Sequence, residues 1–87
     1  MAHNVVFNSI KEIDLSKLEF PQVAVFSKPE EFPDKEVARV FDNAKATNMI
    51  IVSNDLTELV KDIRDNTTLK WFWRGKEDAP TLVGVFL

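Results

Sequence analysis

Two apolar runs in the middle of the chain constrain its fold more than any other feature. Residues 23–26 and 49–52 are apolar at every position, and a serine, Ser27 or Ser53, directly follows each run. Strands that are apolar throughout, rather than at alternate positions, are typical of a sheet covered on both faces, as parallel sheets are. The two runs therefore predict two buried strands that lie side by side in parallel.

The segment after each run has the periodicity of an amphipathic helix. Residues 33–45 begin with Pro33, which suits the first turn of a helix because its missing N–H is not needed there. Residues 55–65 begin with Asp55, which has capping-box spacing to Glu58. Apolar residues recur at helical spacing in both segments: Val37, Val40, Phe41 and Ala44 in the first, and Leu56, Leu59, Val60 and Ile63 in the second.

The two ends of the chain add shorter elements. Residues 4–8 are a short apolar run that predicts an edge strand, with an ordered N-terminal arm as the alternative. Ser9 with Glu12 has capping-box spacing for a short helix, and Asp14 offers a second cap at which this region could break in two. Residues 69–74 and 81–87 are strand-like segments on either side of a polar turn, which predicts an antiparallel hairpin. Gly84 within it predicts a bulge or the close approach of a tryptophan ring.

These elements predict an α/β domain, with α+β as the alternative class, over residues 1–87 as a single domain. It has two layers and a mixed sheet of four or five strands, with a β-α-β-α-β middle, a C-terminal antiparallel hairpin, two main helices and a short N-terminal helix. Right-handed crossovers place both main helices on one side of the sheet, so the other side needs separate cover. The N-terminal segment with Ile10, Ile13, Leu15 and Leu18, helices wound to opposite sides, or a second copy in a homodimer would provide it.

Composition excludes several classes of function. The 87 residues contain no cysteine and one histidine, His3, so disulfides and zinc sites of the usual type cannot be built. Glycine-rich phosphate motifs are missing, and the net charge of −3 with dispersed basic residues argues against nucleic acid. No apolar run is long enough to span a membrane. We therefore expect a cytoplasmic, non-catalytic protein without a cofactor or a metal.

The least ordinary stretch is Trp71-Phe72-Trp73, which lies between Lys70 and Arg74. Neighbouring residues of a strand point to opposite faces, so the three aromatic side chains serve two surfaces. Aromatic and arginine side chains are the usual anchors of protein interfaces, although large aromatics also simply fill small cores. We predict a protein-binding module (a subunit, an adaptor or an inhibitor) that docks a protein partner or a second copy through a sheet face or edge near this hairpin.

Two alternative functions remain open. If the two central strands are parallel, their carboxyl ends bring together polar residues that could hold a small anion or a nucleotide: Ser27, Lys28, Ser53 and Asn54. Such residues also serve as ordinary helix caps. The acidic residues Glu31, Asp34 and Asp55 suggest a carboxylate–Mg²⁺ hydrolase if they converge, although acidic residues near helix starts ordinarily complement the helix dipole.

Overall fold

A computed structural model describes residues 3–75 and 80–87. The described residues form one mixed sheet of six strands in the order β1-β4-β3-β2-β6-β5, with one α-helix packed against it. The strands are β1 (Val5–Phe7), β2 (Pro21–Ser27), β3 (Glu36–Asp42), β4 (Lys45–Ser53), β5 (Trp71–Trp73) and β6 (Leu82–Phe86), and the helix is α1 (Leu56–Asn66). Two short 3₁₀ turns, Ile10–Glu12 and Leu15–Lys17, lie between β1 and β2. Among these described strands, only β1 and β4 pair in parallel.

The predicted helix over residues 33–45 is wrong, because this segment is the central strand β3. It pairs antiparallel with both β2 and β4, so those two strands point the same way but do not pair with each other. The apolar positions fit a strand because Val37 and Phe41 lie on one face and Val40 on the other. A two-residue turn at Asn43 and Ala44, with φ of 52° and 65°, closes the β3–β4 hairpin.

The other predicted elements are present, with differences in number. The helix α1 begins after Asp55, whose side chain accepts a hydrogen bond from the Glu58 N–H at 3.0 Å. The antiparallel strand pairing of the C-terminal hairpin and the N-terminal edge strand are confirmed, whereas residues 76–79 of the predicted turn lie outside the described residues. Within residues 3–75 and 80–87, the sheet has six strands rather than the predicted four or five, and α1 is the one α-helix where two main helices were predicted. The short N-terminal helix is two 3₁₀ turns capped by Ser9 and Asp14, so the alternative of a break with a second cap at Asp14 is confirmed.

One face of the sheet carries the dry core, and we call it the helix face. It presents Val23, Val25, Ala38, Val40, Ile51 and Phe86 to Leu59 and Ile63 of α1 and to Ile10 and Ile13 of the first turn. Asp62 of α1 holds that turn in place, accepting hydrogen bonds from the Ser9 hydroxyl at 2.7 Å and the Ile10 N–H at 2.8 Å. The N-terminal segment therefore lies on the same face as α1, so it is not the cover of the second face that one of the three predicted alternatives assigned to it.

The second face, which we call the open face, has no helix of the described residues over it. It carries Val37, Arg39 and Phe41 from β3 with their neighbours Ala24 and Ile50. The β2–β3 connection lies over one end, where Pro29 and Phe32 border a recess with Phe26 and Val37. The other end keeps an apolar recess, lined by Ala24, Phe41, Ala44, Val85 and Leu87 among others.

The centre of the open face is covered by a polar bridge. The Arg39 guanidinium donates to Asn4 Oδ1 at 3.0 Å and to the Thr47 carbonyl at 2.9 Å, and it lies 3.6 Å from a carboxylate oxygen of Glu31. Asn4 also donates to Glu31 at 3.3 Å. We call Arg39, Glu31 and Asn4 the Arg39 bridge. It ties β1, β3 and the β2–β3 connection together above Ile50, the residue directly opposite Arg39.

Candidate protein-binding edge

Strand β5 ends the sheet, and no strand of residues 3–75 or 80–87 pairs with its outer side. Lys70 and Leu87 exchange both N–H···O bonds, at 2.9 and 3.0 Å, and the Arg74 N–H donates to the Val83 carbonyl at 3.2 Å. Since hydrogen-bonded and non-hydrogen-bonded pairs alternate along an antiparallel ladder, Trp71 and Trp73 occupy the non-bonded positions opposite Phe86 and Gly84. Their N–H and C=O groups are therefore directed to the free edge of the sheet.

Trp71 lies on the helix face and is fixed there by its neighbours. The centroid of its ring lies 4.8 Å from the centroid of the Phe86 ring. The Trp71 and Trp73 rings meet edge-on, with 5.3 Å between their centroids. Gly84 makes room for it, because a Cβ at that position would lie 2.5 Å from the Trp71 ring and 2.6 Å from the Phe72 carbonyl oxygen. Both predictions for Gly84 are confirmed, since the β2–β6 register also shifts next to it.

Trp73 lies on the same face as Trp71, at the rim of the sheet. Its side chain is 76% exposed, the largest exposure of any large apolar residue in the described part of the chain. Phe72 points to the open face and is 49% exposed. Lys70 and Arg74 share the strand positions of the open face with Phe72, by the alternation of side chains. We call residues 70–74 the aromatic edge.

A cleft of about 250 Å³ lies between the aromatic edge and α1. Its floor and walls are mainly apolar, and Arg64 provides its one charged side chain among the described residues: the lining is Leu56, Thr57, Val60, Arg64, Trp71, Trp73 and Val83. The sequence pattern predicts Leu56 and Val60 on the apolar stripe of α1, but it does not connect that stripe to the tryptophans. No short-range sequence pattern predicts that α1 lies near β5, so the sequence does not identify Arg64 as a residue of the cleft either.

The charges of α1 near the cleft are partly paired. Lys61 donates to Asp65, and this hydrogen bond holds the pKa of the Asp65 carboxyl below its usual value, with a further contribution from the positive charge of Arg64. The Arg64 Nε lies 3.9 Å from Asp65, and both side chains are largely exposed. An exposed pair at this distance contributes little, so the Arg64 guanidinium is available to a ligand in the cleft.

The residues of the anion hypothesis lie at the predicted end of the strands, but a carboxylate lies among them. Ser27 and Ser53 flank Glu36 in the ladder, and the Ser27 hydroxyl donates to the buried Glu36 carboxylate. Lys28 is exposed, and Asn54 accepts from Lys35. A carboxylate between the two hydroxyls opposes an anion by charge and uses one of the donors that an anion would need.

The acidic residues of the hydrolase hypothesis do not converge. Glu31 belongs to the Arg39 bridge, and Asp55 caps α1. Across residues 3–75 and 80–87, no group of three acidic or histidine side chains is placed to hold a metal ion. The structure therefore assembles no carboxylate cluster from Glu31, Asp34 and Asp55.

A larger cleft, of about 510 Å³, lies between the N-terminal turns and the end of α1. Ile10, Ile13 and Leu15 line one side, and Asn66, Thr67 and Thr68 line the other. Lys11 is the one charged side chain among its described lining residues. The cleft thus lacks the pairs of titratable groups that acid–base chemistry requires.

Comparison with protein-family models, with curated proteins and with solved structures finds no match for this chain. No helix in the described ranges has the length and apolar character needed to cross a membrane.

Proposed function

We propose that this chain is a small protein-binding module that captures a partner at the aromatic edge. The observation that carries the proposal is Trp73, a tryptophan that is 76% exposed at the rim of the sheet and braced by Trp71. Burying a large aromatic side chain contributes strongly to binding, and tryptophan and arginine are enriched among the residues that dominate interfaces. The preformed support of Trp73 lowers the entropy lost on binding, because its neighbour is already fixed.

The position of Trp73 also supports the proposal. Natural sheet edges are usually blunted by charges, bulges or covering loops, because unpaired backbone groups invite association. Strand β5 is short and is flanked by Lys70 and Arg74, yet it presents two exposed aromatic side chains, Phe72 and Trp73. Aromatic exposure on an otherwise guarded edge is more typical of a selective binding surface than of a simple rim.

The test is partner capture from a lysate of the native cells, compared among three forms of the full chain. Phe20 supplies the matched control, because it is also aromatic and 63% exposed but lies outside the aromatic edge. We expect Trp73→Ala to remove the captured partner and Phe20→Ala to retain it, with both variants folded by circular dichroism. Capture that is equally strong with Trp73→Ala would refute the proposal.

A further inference from the structure

We propose that the partner binds by strand addition: an extended, acidic segment of another protein pairs with the free side of β5 and places one apolar side chain in the cleft beside α1. This inference rests on the proposed function and specifies its mode and its ligand class. It differs from the docking of a folded surface on the tryptophans, because it requires backbone hydrogen bonds to Trp71 and Trp73.

The first support is the backbone of the edge. Trp71 and Trp73 each direct one donor and one acceptor away from β6, as the ladder through Lys70 and Leu87 fixes. Two residues with outward N–H and C=O groups, separated by one residue, provide the hydrogen-bonding pattern that an added strand requires. The backbone groups of Phe72 are bonded to β6, so only alternate residues of β5 can bond to an added strand. Every second residue of the ligand must therefore form backbone hydrogen bonds with β5.

The second support is the cleft. Side chains of an added strand alternate between faces, so those on the helix face lie next to Trp71 and Trp73 and at the mouth of the cleft. An enclosed apolar cavity of about 150 Å³ is enough to hold benzene, so the cleft of about 250 Å³ has room for a leucine or phenylalanine side chain. Leu56, Val60 and Val83 would contact it.

The third support is charge, which determines the chemistry of the ligand. Lys70, on the aromatic edge, and Arg64, in the lining of the cleft, are both positively charged, although the whole chain has 11 basic and 14 acidic residues. Lys70 lies on the open-face side of the edge and Arg64 beside the cleft on the other. A strand with acidic residues next to its apolar ones therefore complements both sides.

A second copy of the chain fits this edge less well. Antiparallel pairing of two β5 strands that satisfies Trp71 and Trp73 of both copies is centred on Phe72. It sets Lys70 of each copy opposite Arg74 of the other. Like charges directly opposite each other destabilise a strand pair. The edge is thus biased against self-association and toward an acidic strand.

The experiment selects binders from a displayed library of random linear peptides on the immobilised full chain, and then measures the best synthetic peptide by fluorescence anisotropy. We expect a consensus in which apolar residues alternate with Asp or Glu. Affinity should fall roughly 30-fold or more with Trp73→Ala, the scale of an interface hot spot. It should fall about fivefold with Lys70→Glu, the scale of exposed ion pairs. Phe20→Ala should leave affinity unchanged.

An N-methyl scan of the peptide tests the backbone directly. Methylation at every second amide should abolish binding, and methylation at the intervening amides should not, because only one set faces β5. The Trp71 and Trp73 amides should become protected from hydrogen exchange when the peptide binds. Circular dichroism and urea unfolding of Trp73→Ala and Lys70→Glu check that both variants fold.

The outcomes separate the two proposals. If partner capture depends on Trp73 but the N-methyl scan is flat, or the consensus is helical or basic, strand addition is refuted and the binding module survives. If neither peptide binding nor partner capture depends on Trp73, both fail. Selection of no peptide that distinguishes the parent chain from Trp73→Ala refutes strand addition. A dimer by light scattering that Trp73→Ala dissociates would make the second copy the occupant instead.

Discussion

The helix face and the open face belong to the same sheet but are stabilised by different means. On the helix face, α1 and the first N-terminal turn exclude water from Val25, Ile51 and Phe86. On the open face, the Arg39 bridge covers the centre of the sheet, the β2–β3 connection lies over one end, and apolar recesses remain at both ends. A chain of 87 residues with one α-helix in its described part has little else with which to cover a second face. The comparison of the two faces shows that a long polar side chain, Arg39, can shield apolar residues of a sheet from water.

The largest expected effect compares two isoleucines of equal burial on the two faces. Ile63 of α1 and Ile50 of β4 are both 0% exposed. We expect Ile63→Ala to cost about 3–4 kcal/mol, because the rigid core around it cannot collapse into the cavity. Ile50→Ala should cost about 2 kcal/mol, at the low end of the range for such truncations, since the long Arg39 side chain can settle into the space.

Urea unfolding of both variants measures the difference, with Ile63→Val and Ile50→Val as matched smaller deletions. A loss of about 3 kcal/mol is a large part of the roughly 5–15 kcal/mol that stabilises a typical domain, so Ile63→Ala should unfold at a clearly lower urea concentration than the parent chain. Equal costs at the two positions would contradict the distinction between a rigid and an adaptable cover.

The next effect concerns Gly84, where the helix face meets the aromatic edge. In Gly84→Ala the new methyl group would collide with the Trp71 ring and with the Phe72 carbonyl oxygen. We expect a cost of about 1–3 kcal/mol, typical of overpacking, with β5 displaced from β6. Urea unfolding measures the cost, and a red-shifted tryptophan emission would report the exposure of Trp71.

A second substitution separates the two collisions at Gly84. Trp71→Ala removes the ring but leaves the Phe72 carbonyl in place, so adding it should relieve only part of the cost of Gly84→Ala. Full additivity of the two substitutions would show that the ring does not restrict position 84.

The β3–β4 turn offers a gain in stability near the open-face recess. Ala44 has a φ of 65°, in the left-handed region where residues with a Cβ are strained. Its N–H donates to Gln22 Oε1 at 2.8 Å, so the conformation is held by the fold. We expect Ala44→Gly to raise the free energy of unfolding by about 1 kcal/mol and Ala44→Val to lower it. Thermal unfolding checks both, and a loss of stability in Ala44→Gly would contradict the strain.

Strand β3, which precedes this turn, is the part of the fold that the sequence alone does not predict. The spacing of Val37, Val40, Phe41 and Ala44 fits a helix, but it also fits a strand that is apolar on both faces, and only pairing with β2 and β4 decides between them. Asn43 was the available signal, because asparagine favours the left-handed conformation of two-residue hairpin turns. A charge at Arg39 within an apolar run also suits a strand position with a polar partner.

Local patterns were sufficient where the neighbours in space are neighbours in sequence. The cap of α1 by Asp55, the C-terminal hairpin and the contact of a tryptophan with Gly84 all follow from short-range spacing. The placement of Trp71 and Trp73 on one face and Phe72 on the other also follows from the alternation of side chains along a strand. The cleft did not, because it depends on where α1 crosses the sheet, and this is set by packing between distant segments.

A smaller effect tests the Arg39 bridge itself. The Arg39 side chain is mostly covered, whereas its ionic partner Glu31 is largely exposed and 3.6 Å away. We expect Arg39→Met to change stability by less than about 1 kcal/mol, because a methionine retains the apolar cover and the exposed ion pair contributes little. Arg39→Ala should cost more, since it uncovers Ile50. If both variants lost the same stability in urea, charge rather than cover would be the source of the stabilisation.

The smallest effect is electrostatic and lies on the outer side of α1. Lys61 lowers the pKa of the Asp65 carboxyl below its usual value of 3.8, so the folded state binds this proton more weakly than the unfolded chain does. The contribution to stability is therefore present above pH 3.8 and is lost as the pH falls through the lowered pKa. Asp65→Asn should flatten the acid limb of the stability profile by a small amount, measured by urea unfolding at a series of pH values.

Asp14 provides a second case, because hydrogen bonds from Ser16 lower the pKa of its carboxyl. Asp14→Asn should therefore also flatten the acid limb of the stability profile. A steeper acid limb in either variant would contradict the assignment, because removing a carboxylate with a lowered pKa can only reduce the protons taken up on unfolding.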